Sequence, residues 1–337
     1  MNATEKIEAG GLRLDNALWL APLAGVTTPP VREFFAALGA GLTHTEMISC
    51  MGLLRDNRKT EGMLRLLPGE DSKCGNPVVL QLFAGDADTM ARGAEMALAA
   101  NARCGPLRFA ALGVNMACPM PKVTKRGAGA ALMGTETAFA MVRGLKRLGL
   151  LVWVKTRRMP DDRETLRFVE GLVEAGADNV CVHGRTAAQR YEGRADRVAT
   201  AAAAERFPGK ISASGDVYTV EDVKEYLNMG CVGVMLARGA LANPYLFPLA
   251  LRALGYRVPE DLTAPARGER IRRLLSLGER ARRICGPKTA LVLLKRLMAG
   301  MFKGMPGASE LRRGVGLASN LEELEKLLRL DFTENIG

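Results

Sequence analysis

Histidine is almost missing from this 337-residue chain, which holds only His44 and His183. Cysteine occurs seven times, at positions 50, 74, 104, 118, 181, 231 and 285, but never as a C-x-x-C pair or a Cys/His ligand cluster. An odd, dispersed set supports neither a disulfide framework nor a zinc centre, so a reduced cytoplasmic protein without a structural metal is expected. No stretch of about 18 uncharged apolar residues exists, and no membrane span is expected. Met1 to Gly10 has acidic residues and no apolar h-region, so it does not read as a signal peptide. No long coiled-coil seam is visible, and a monomer is expected.

Acidic residues are scarce in one place. From Arg267 to Arg313 there are 13 Lys or Arg against 3 Asp or Glu, which is nearly the whole net charge of +11. Such a patch favours a polyanion, RNA or DNA first, because phosphate contacts release counterions. A solvated helical face or contact with acidic lipid is the plainer alternative.

Nearly half of the residues are apolar, ample for a core. Apolar segments of strand length recur at Leu18–Ala21, Leu42–Thr45, Val78–Leu82, Phe109–Val114, Leu151–Val154, Asn179–Val182, Ile211–Ala213 and Val232–Leu236. Helix-like stretches lie between most of them: Pro30–Leu38, Ala87–Ala100, Thr135–Leu148, Glu164–Ala175, Arg197–Arg206 and Val220–Asn228. Thr219 with Asp222 three residues on predicts a capped start for the last. Residues 48–76 are less regular and predict a long loop or short helices. Eight continuous apolar strands alternating with helices imply a parallel sheet buried on both faces. Eight such units in roughly 230 residues match a (β/α)8 TIM barrel, an α/β architecture. A doubly wound sheet would carry a glycine-rich dinucleotide loop after its first strand. This chain has Ala21-Pro22-Leu23-Ala24-Gly25-Val26-Thr27 there.

In such barrels chemistry sits at the C-terminal strand ends. Here those ends carry Glu46, Gln81, Asn115 with Cys118, Lys155, His183 with Arg185, Ser214-Gly215-Asp216, and Arg238-Gly239. Any one alone is unremarkable: a lone histidine after a strand is usually structural, and a lone lysine reaches solvent. Together they converge on one ring. The amides around Gly215, and those of Arg238 and Gly239, form a natural phosphate seat. Lys155, Gln81 and Asn115 suit a planar ring rich in heteroatoms. Flavin mononucleotide satisfies both demands, although these residues alone do not select it over another phosphorylated ligand.

Gly113-Val114-Asn115-Met116-Ala117-Cys118-Pro119-Met120-Pro121-Lys122 is the stretch around which this ring is arranged. It places a cysteine in a proline-braced loop just past a strand. Most free cysteines are small buried apolar residues. A held, accessible one is a candidate for thiol chemistry.

Taken in order, these motifs resemble the tRNA-dihydrouridine synthases. The match runs through Ala21–Thr27, Thr45-Glu46-Met47, Gln81-Leu82-Phe83 and Asn115–Pro119, followed by Lys122-Val123 and Gly127–Ala130. It continues with Lys155-Thr156-Arg157, His183–Thr186 with Gln189, Tyr191 and Gly193, then Gly215-Asp216, Arg238-Gly239-Ala240 with Asn243-Pro244, and Lys303–Ala308 with Glu310-Leu311-Arg312. Each piece is weak, whereas the ordered set is specific. The resemblance implies FMN-dependent reduction of uridine to dihydrouridine in RNA, most often tRNA, with NADPH as reductant. It makes Cys118 the acid that protonates C5 of a flipped-out uracil after hydride reaches C6. Thiols titrate near pH 8.5, so they are mostly protonated at neutral pH.

By the same resemblance Pro22, Leu23 and Ala24 line the flavin ring, and Gln81 and Lys155 bond its polar edge. His183, Ser214, Gly215, Asp216, Ala237 and Arg238 hold the phosphate side. Asn115 and Arg185 stand near the substrate base. The chain departs from the family's usual residues at Thr28, Ala117, Ser214 and Arg197. In the C-terminal part Lys295-Arg296-Leu297 and Gly300-Met301 replace a basic-His-aromatic pattern. Lys295 and Arg296 are the RNA-facing candidates there, and their changed context keeps ribosomal RNA open as a target.

After Phe247 the strand pattern stops. Arg252 to Arg267 reads as a linker, and three amphipathic helices follow, marked by Ile271, Leu274 and Leu275, by Leu291 to Phe302, and by Leu321 to Leu330. Residues 1–250 are therefore expected to form the catalytic barrel and residues 251–337 a basic helical RNA-binding domain. Few aromatics are available there, so shape and phosphate contacts should dominate. The competing readings are a small-molecule flavin ene-reductase or dihydropyrimidine-type oxidoreductase, and a non-catalytic RNA-binding barrel.

Overall fold

Each of the eight apolar segments forms a strand in the computed structural model, which describes residues 6–70, 75–103 and 105–334 and side chains as far as Asp331. Cys74, Cys104 and residues 1–5 lie outside the described residues. The chain opens with a hairpin, β1 (Ile7–Ala9) and β2 (Leu12–Leu14). The barrel strands are β3 (Leu18–Leu20), β4 (Thr43–His44), β6 (Val78–Phe83), β7 (Ala111–Met116), β8 (Val152–Arg157), β9 (Asn179–His183), β10 (Ile211–Ser214) and β11 (Gly233–Leu236). A two-residue strand, β5 (Ile48–Ser49), adds to the end of β6. All barrel pairings are parallel and sequential. β3 pairs with β11, and a bridge between Trp19 and Leu42, with Leu20 N–H donating to Leu42 O at 2.9 Å, completes the ring.

The helices follow from local signals. Thr219 and Asp222 form a reciprocal capping box on helix Val220–Asn228. Asp161 and Thr135 cap helices Asp162–Glu174 and Glu136–Lys146 through side-chain oxygens. The irregular segment after β5 contains the short helices Cys50–Leu53 and Arg58–Gly62. It is pinned by a buried bidentate ion pair, Arg32 to Glu70, at 2.7 and 3.0 Å.

The hairpin has no counterpart in the sequence reading, because its three-residue strands are too short to show a period. It closes the N-terminal mouth of the barrel. Ala9 and Leu14 pack into an inner cluster with Trp19, Leu42, Val79, Ala111, Trp153, Cys181 and Met235. The Trp19 and Trp153 rings lie 5.0 Å apart, and Trp153 Nε1 donates to Gly10 O at 3.0 Å. The lower half is thus packed, and the polar strand ends lie at the C-terminal mouth.

Two expectations are corrected. The segment Arg252–Arg267 is not a plain linker: helix Leu246–Ala253 runs into it and helix Glu260–Thr263 sits inside it. Among the described residues the last part has four helices rather than three: Arg267–Cys285, Pro287–Met301, Ala308–Leu317 and Leu321–Glu334. The third is a ten-residue helix whose apolar face is only Ala308, Leu311 and Val315, too little to register as a stripe. Leu294, Leu297, Met298, Met301 and Phe302 are all buried, and one hydrophobic core runs without interruption from barrel helix Pro29–Ala37 into these helices.

Candidate active site

Strand β8 continues to Arg157, three residues past its expected end. Alternation then puts Trp153, Lys155 and Arg157 on one face, stepping from the packed interior to the open mouth. The register pairs Lys155 with Asn115 on β7 and with Cys181 on β9. A cleft of about 300 Å³ opens above them. Ala21, Pro22, Leu23 and Ala24 form one wall, Asn115, Ala117 and Cys118 another, and Lys155, His183, Ser214, Ala237 and Arg238 the rest. It continues past His183 and Ser214 into a smaller hollow bounded by Gly215, Asp216, Tyr218 and Gly239.

The cysteine loop is held by its backbone. Asn115 Oδ1 accepts the N–H of Cys118 at 2.9 Å and of Ala117 at 3.2 Å. Asn115 Nδ2 donates to Gln81 Oε1 at 2.9 Å, and Gln81 N–H donates to Thr45 Oγ1 at 2.9 Å. Arg157 Nε donates to Ala117 O at 2.7 Å, while its Nη1 reaches Thr186 O and Arg190 O. Gly129 lies beneath with φ of +62°, and a Cβ there would stand 2.6 Å from Cys118 O, so only glycine fits. Cys118 itself is half-buried and free.

The electrostatics are one-sided. Lys155 has no carboxylate partner among the described residues, and burial lowers its pKa, with Arg157 adding to the effect and Cys181 opposing it. His183 is pushed down to about 2, first by burial and then by Lys155, Arg157, Arg185 and Arg238. It is therefore a neutral imidazole. Its Nδ1 accepts the Arg185 N–H at 3.2 Å, so the ring proton sits on Nε2, toward Gly215. Burial alone would raise the Asp216 carboxyl, but hydrogen bonds from Arg185 and Ala195, with Arg238 nearby, hold it below the usual range. A donor set of ammonium, guanidinium, hydroxyl and imidazole N–H, with its one nearby carboxylate already paired, fits an anionic ligand rich in acceptors.

The remaining sequence candidates lie elsewhere. Gln81 is buried under the cleft and bonds to Asn115. Arg185 is buried beneath it, bidentate to Asp216 at 2.7 and 2.8 Å and bonded to Glu192 O and Gly193 O. Lys295 donates to Gly316 O and Ala318 O, and Arg296 to Gly25 O. Met47, Arg157 and Tyr191, which the sequence reading quoted within motifs without giving them a role, also line the cleft. Tyr191 is more than half exposed, with the Arg157 and Arg238 guanidinium carbons 5.8 and 5.0 Å from its ring centre. Period-two alternation from Lys155 was the available signal for Arg157.

Comparison with known proteins decides the family. The dihydrouridine synthase (Dus) family model matches residues 19–337. The chain belongs to the dihydrouridine synthase family. A probable tRNA-dihydrouridine synthase of Mycobacterium tuberculosis is 32% identical, over 97% of this chain and 85% of that protein. tRNA-dihydrouridine synthase B of Pseudomonas syringae is 29% identical, over 95% and 91%. Among solved structures, morphinone reductase in complex with tetrahydroNAD superposes with a TM-score of 0.53 at 15% identity, covering 77% of this chain and 92% of that one. This second likeness is one of fold, and it agrees with the (β/α)8 barrel. As a dihydrouridine synthase the chain is an oxidoreductase. No helix among the described residues is long and apolar enough to cross a membrane, and those residues contain no group of three His, Cys, Asp or Glu placed to hold a metal.

Proposed function

We propose that this enzyme reduces specific uridines in RNA, tRNA first, to 5,6-dihydrouridine in the cytoplasm, with FMN as cofactor and NADPH as reductant. The observation that carries the reading is that one cleft joins a backbone-clamped cysteine, Cys118, to the half-buried Lys155 ammonium, which has no carboxylate partner among the described residues. The relatives' names support tRNA as the substrate.

FMN, when bound, supplies hydride to C6 of a uracil turned out of its stack. Pro22, Leu23 and Ala24 would hold the ring by backbone contact, and Lys155 and Gln81 its polar edge. His183 Nε2–H, Ser214, Gly215, Ala237 and Arg238 would hold the phosphate side. Asp216 supports them by fixing Arg185 and Arg238. Cys118 donates its thiol proton to C5 of the uracil. Asn115 and Arg157 keep the thiol in place while that transfer occurs. Residues 251–337 form the unit that grips the RNA backbone, through exposed cations such as Arg282, Arg283 and Lys288.

The test is dihydrouridine content, by mass spectrometry, in separated tRNA and ribosomal RNA from cells with and without the gene. Loss from tRNA supports the reading, and loss from ribosomal RNA alone moves the target. Purified protein that takes up no FMN defeats it.

A further inference from the structure

One helix touches two adjoining walls of the cleft. Arg296, on helix Pro287–Met301, donates from Nη1 to Gly25 O at 2.8 Å. The Gly25 N–H is taken by Glu46 Oε1 at 2.5 Å. Gly25 follows directly on Leu23 and Ala24, which line the cleft, in a turn closed by the Val26 and Thr27 N–H groups on Leu23 O. The ring-side wall is therefore gripped at its tip by a strand end on one side and by the C-terminal helices on the other.

Four residues on, and so on the same helix face, Gly300 meets the adjoining wall, which follows the neighbouring strand β11. A Cβ at Gly300 would stand 2.0 Å from Leu241 O and 2.8 Å from the carbonyl carbon of Ala242. These two residues close helix Arg238–Ala242, whose first residues bound the phosphate-side hollow. Arg296 thus belongs to the basic excess that composition assigned to a polyanion, yet one of its donors is spent on a surface hydrogen bond to the protein's own backbone.

We infer that this face of helix Pro287–Met301 braces two adjoining walls of the cofactor cleft, with Arg296 a positioning residue for cofactor binding as well as a basic surface group. The inference rests on the flavin reading of the cleft. Residues 251–337 then do more than grip RNA: they fix the ring-side wall against the phosphate-side wall in the position the cofactor needs.

The experiment measures FMN dissociation constants, by quenching of flavin fluorescence, for the full-length protein and for Arg296→Ala, Arg296→Lys and Gly300→Ala. Melting temperatures are recorded alongside. The expected result is about fivefold weaker FMN binding in Arg296→Ala, on the order of one lost hydrogen bond, with the melting temperature of the FMN-free protein unchanged. Arg296→Lys restores part of it, and Gly300→Ala weakens binding through the other wall. Should Gly300→Ala fail to fold, the Arg296 pair decides. Equal FMN affinity in the unaltered protein and Arg296→Ala overturns the brace while leaving the flavin reading standing. No FMN binding by the unaltered protein overturns both.

Discussion

Asn115 holds Cys118 through the main chain: its Oδ1 accepts the Cys118 N–H at 2.9 Å. The same amide donates to Gln81, so the cysteine loop is tied to the neighbouring strand. Replacing Asn115 by Ala frees both the Ala117 and Cys118 N–H groups. The expected outcome is a fall of roughly 10²-fold in the rate of product formation from misplacement of the thiol, with FMN still bound. Single-turnover dihydrouridine formation checks it, and an unchanged rate would remove Asn115 from the role of positioning residue.

Cys118→Ala should fold and retain FMN but lose at least about 10²-fold in turnover, the usual contribution of a placed proton donor. The readout is tritium or mass labelling of dihydrouridine in an RNA transcript. Turnover equal to that of the unaltered enzyme sinks the acid assignment.

Lys155→Met separates binding from folding. Burial disfavours the Lys155 ammonium, so its removal relieves a desolvation cost in the FMN-free protein. The FMN-free variant should melt at or above the temperature of the unaltered protein, while its FMN affinity falls. A variant that melts lower yet keeps full affinity would contradict both halves.

Acid should destabilise the fold through the two histidines. His44 is lowered to about 4, mainly by burial, with its bond to Leu20 O opposing and Lys155 assisting. His183 is lowered to about 2. Below about pH 6.5 the unfolded chain takes up protons that the folded one refuses, so stability falls as pH drops. The His44 share is lost between about 6.5 and 4, and the His183 share between about 6.5 and 2. Each contributes up to about 1.4 kcal/mol per pH unit. Urea midpoints at pH 7 and pH 5 measure this, and His44→Gln should flatten the difference.

RNA binding should weaken with salt. Replacing Arg282, Arg283 and Lys288 together by Ala should reduce the slope of log affinity against log salt by about 2 to 3, near one per lost phosphate contact. A filter-binding titration at several salt concentrations gives the slope. An unchanged slope moves the RNA to another face.

The barrel was legible because its strands are continuous apolar runs, buried on both faces, and its helices begin at explicit caps such as Thr219 with Asp222. The hairpin Ile7–Leu14 and helix Ala308–Leu317 escaped notice because each is too short or too weakly apolar to carry a period. Arg157 was quoted in the Lys155-Thr156-Arg157 motif but given no role, because ending β8 at Val154 took it out of the alternation that places it beside Lys155.

By itself the sequence determined the order of strands and helices, the ring of polar strand ends and the family. Those depend on local periodicity and on residue types at fixed spacing, both properties of the chain in one dimension. Only the tertiary structure decided how each polar group is used. Asn115 clamps the cysteine loop, Arg185 is spent on Asp216, and Arg296 reaches back to Gly25 across 271 positions. A hydrogen bond is made by whichever donor and acceptor folding brings within about 3 Å, and no spacing along the chain states which those will be.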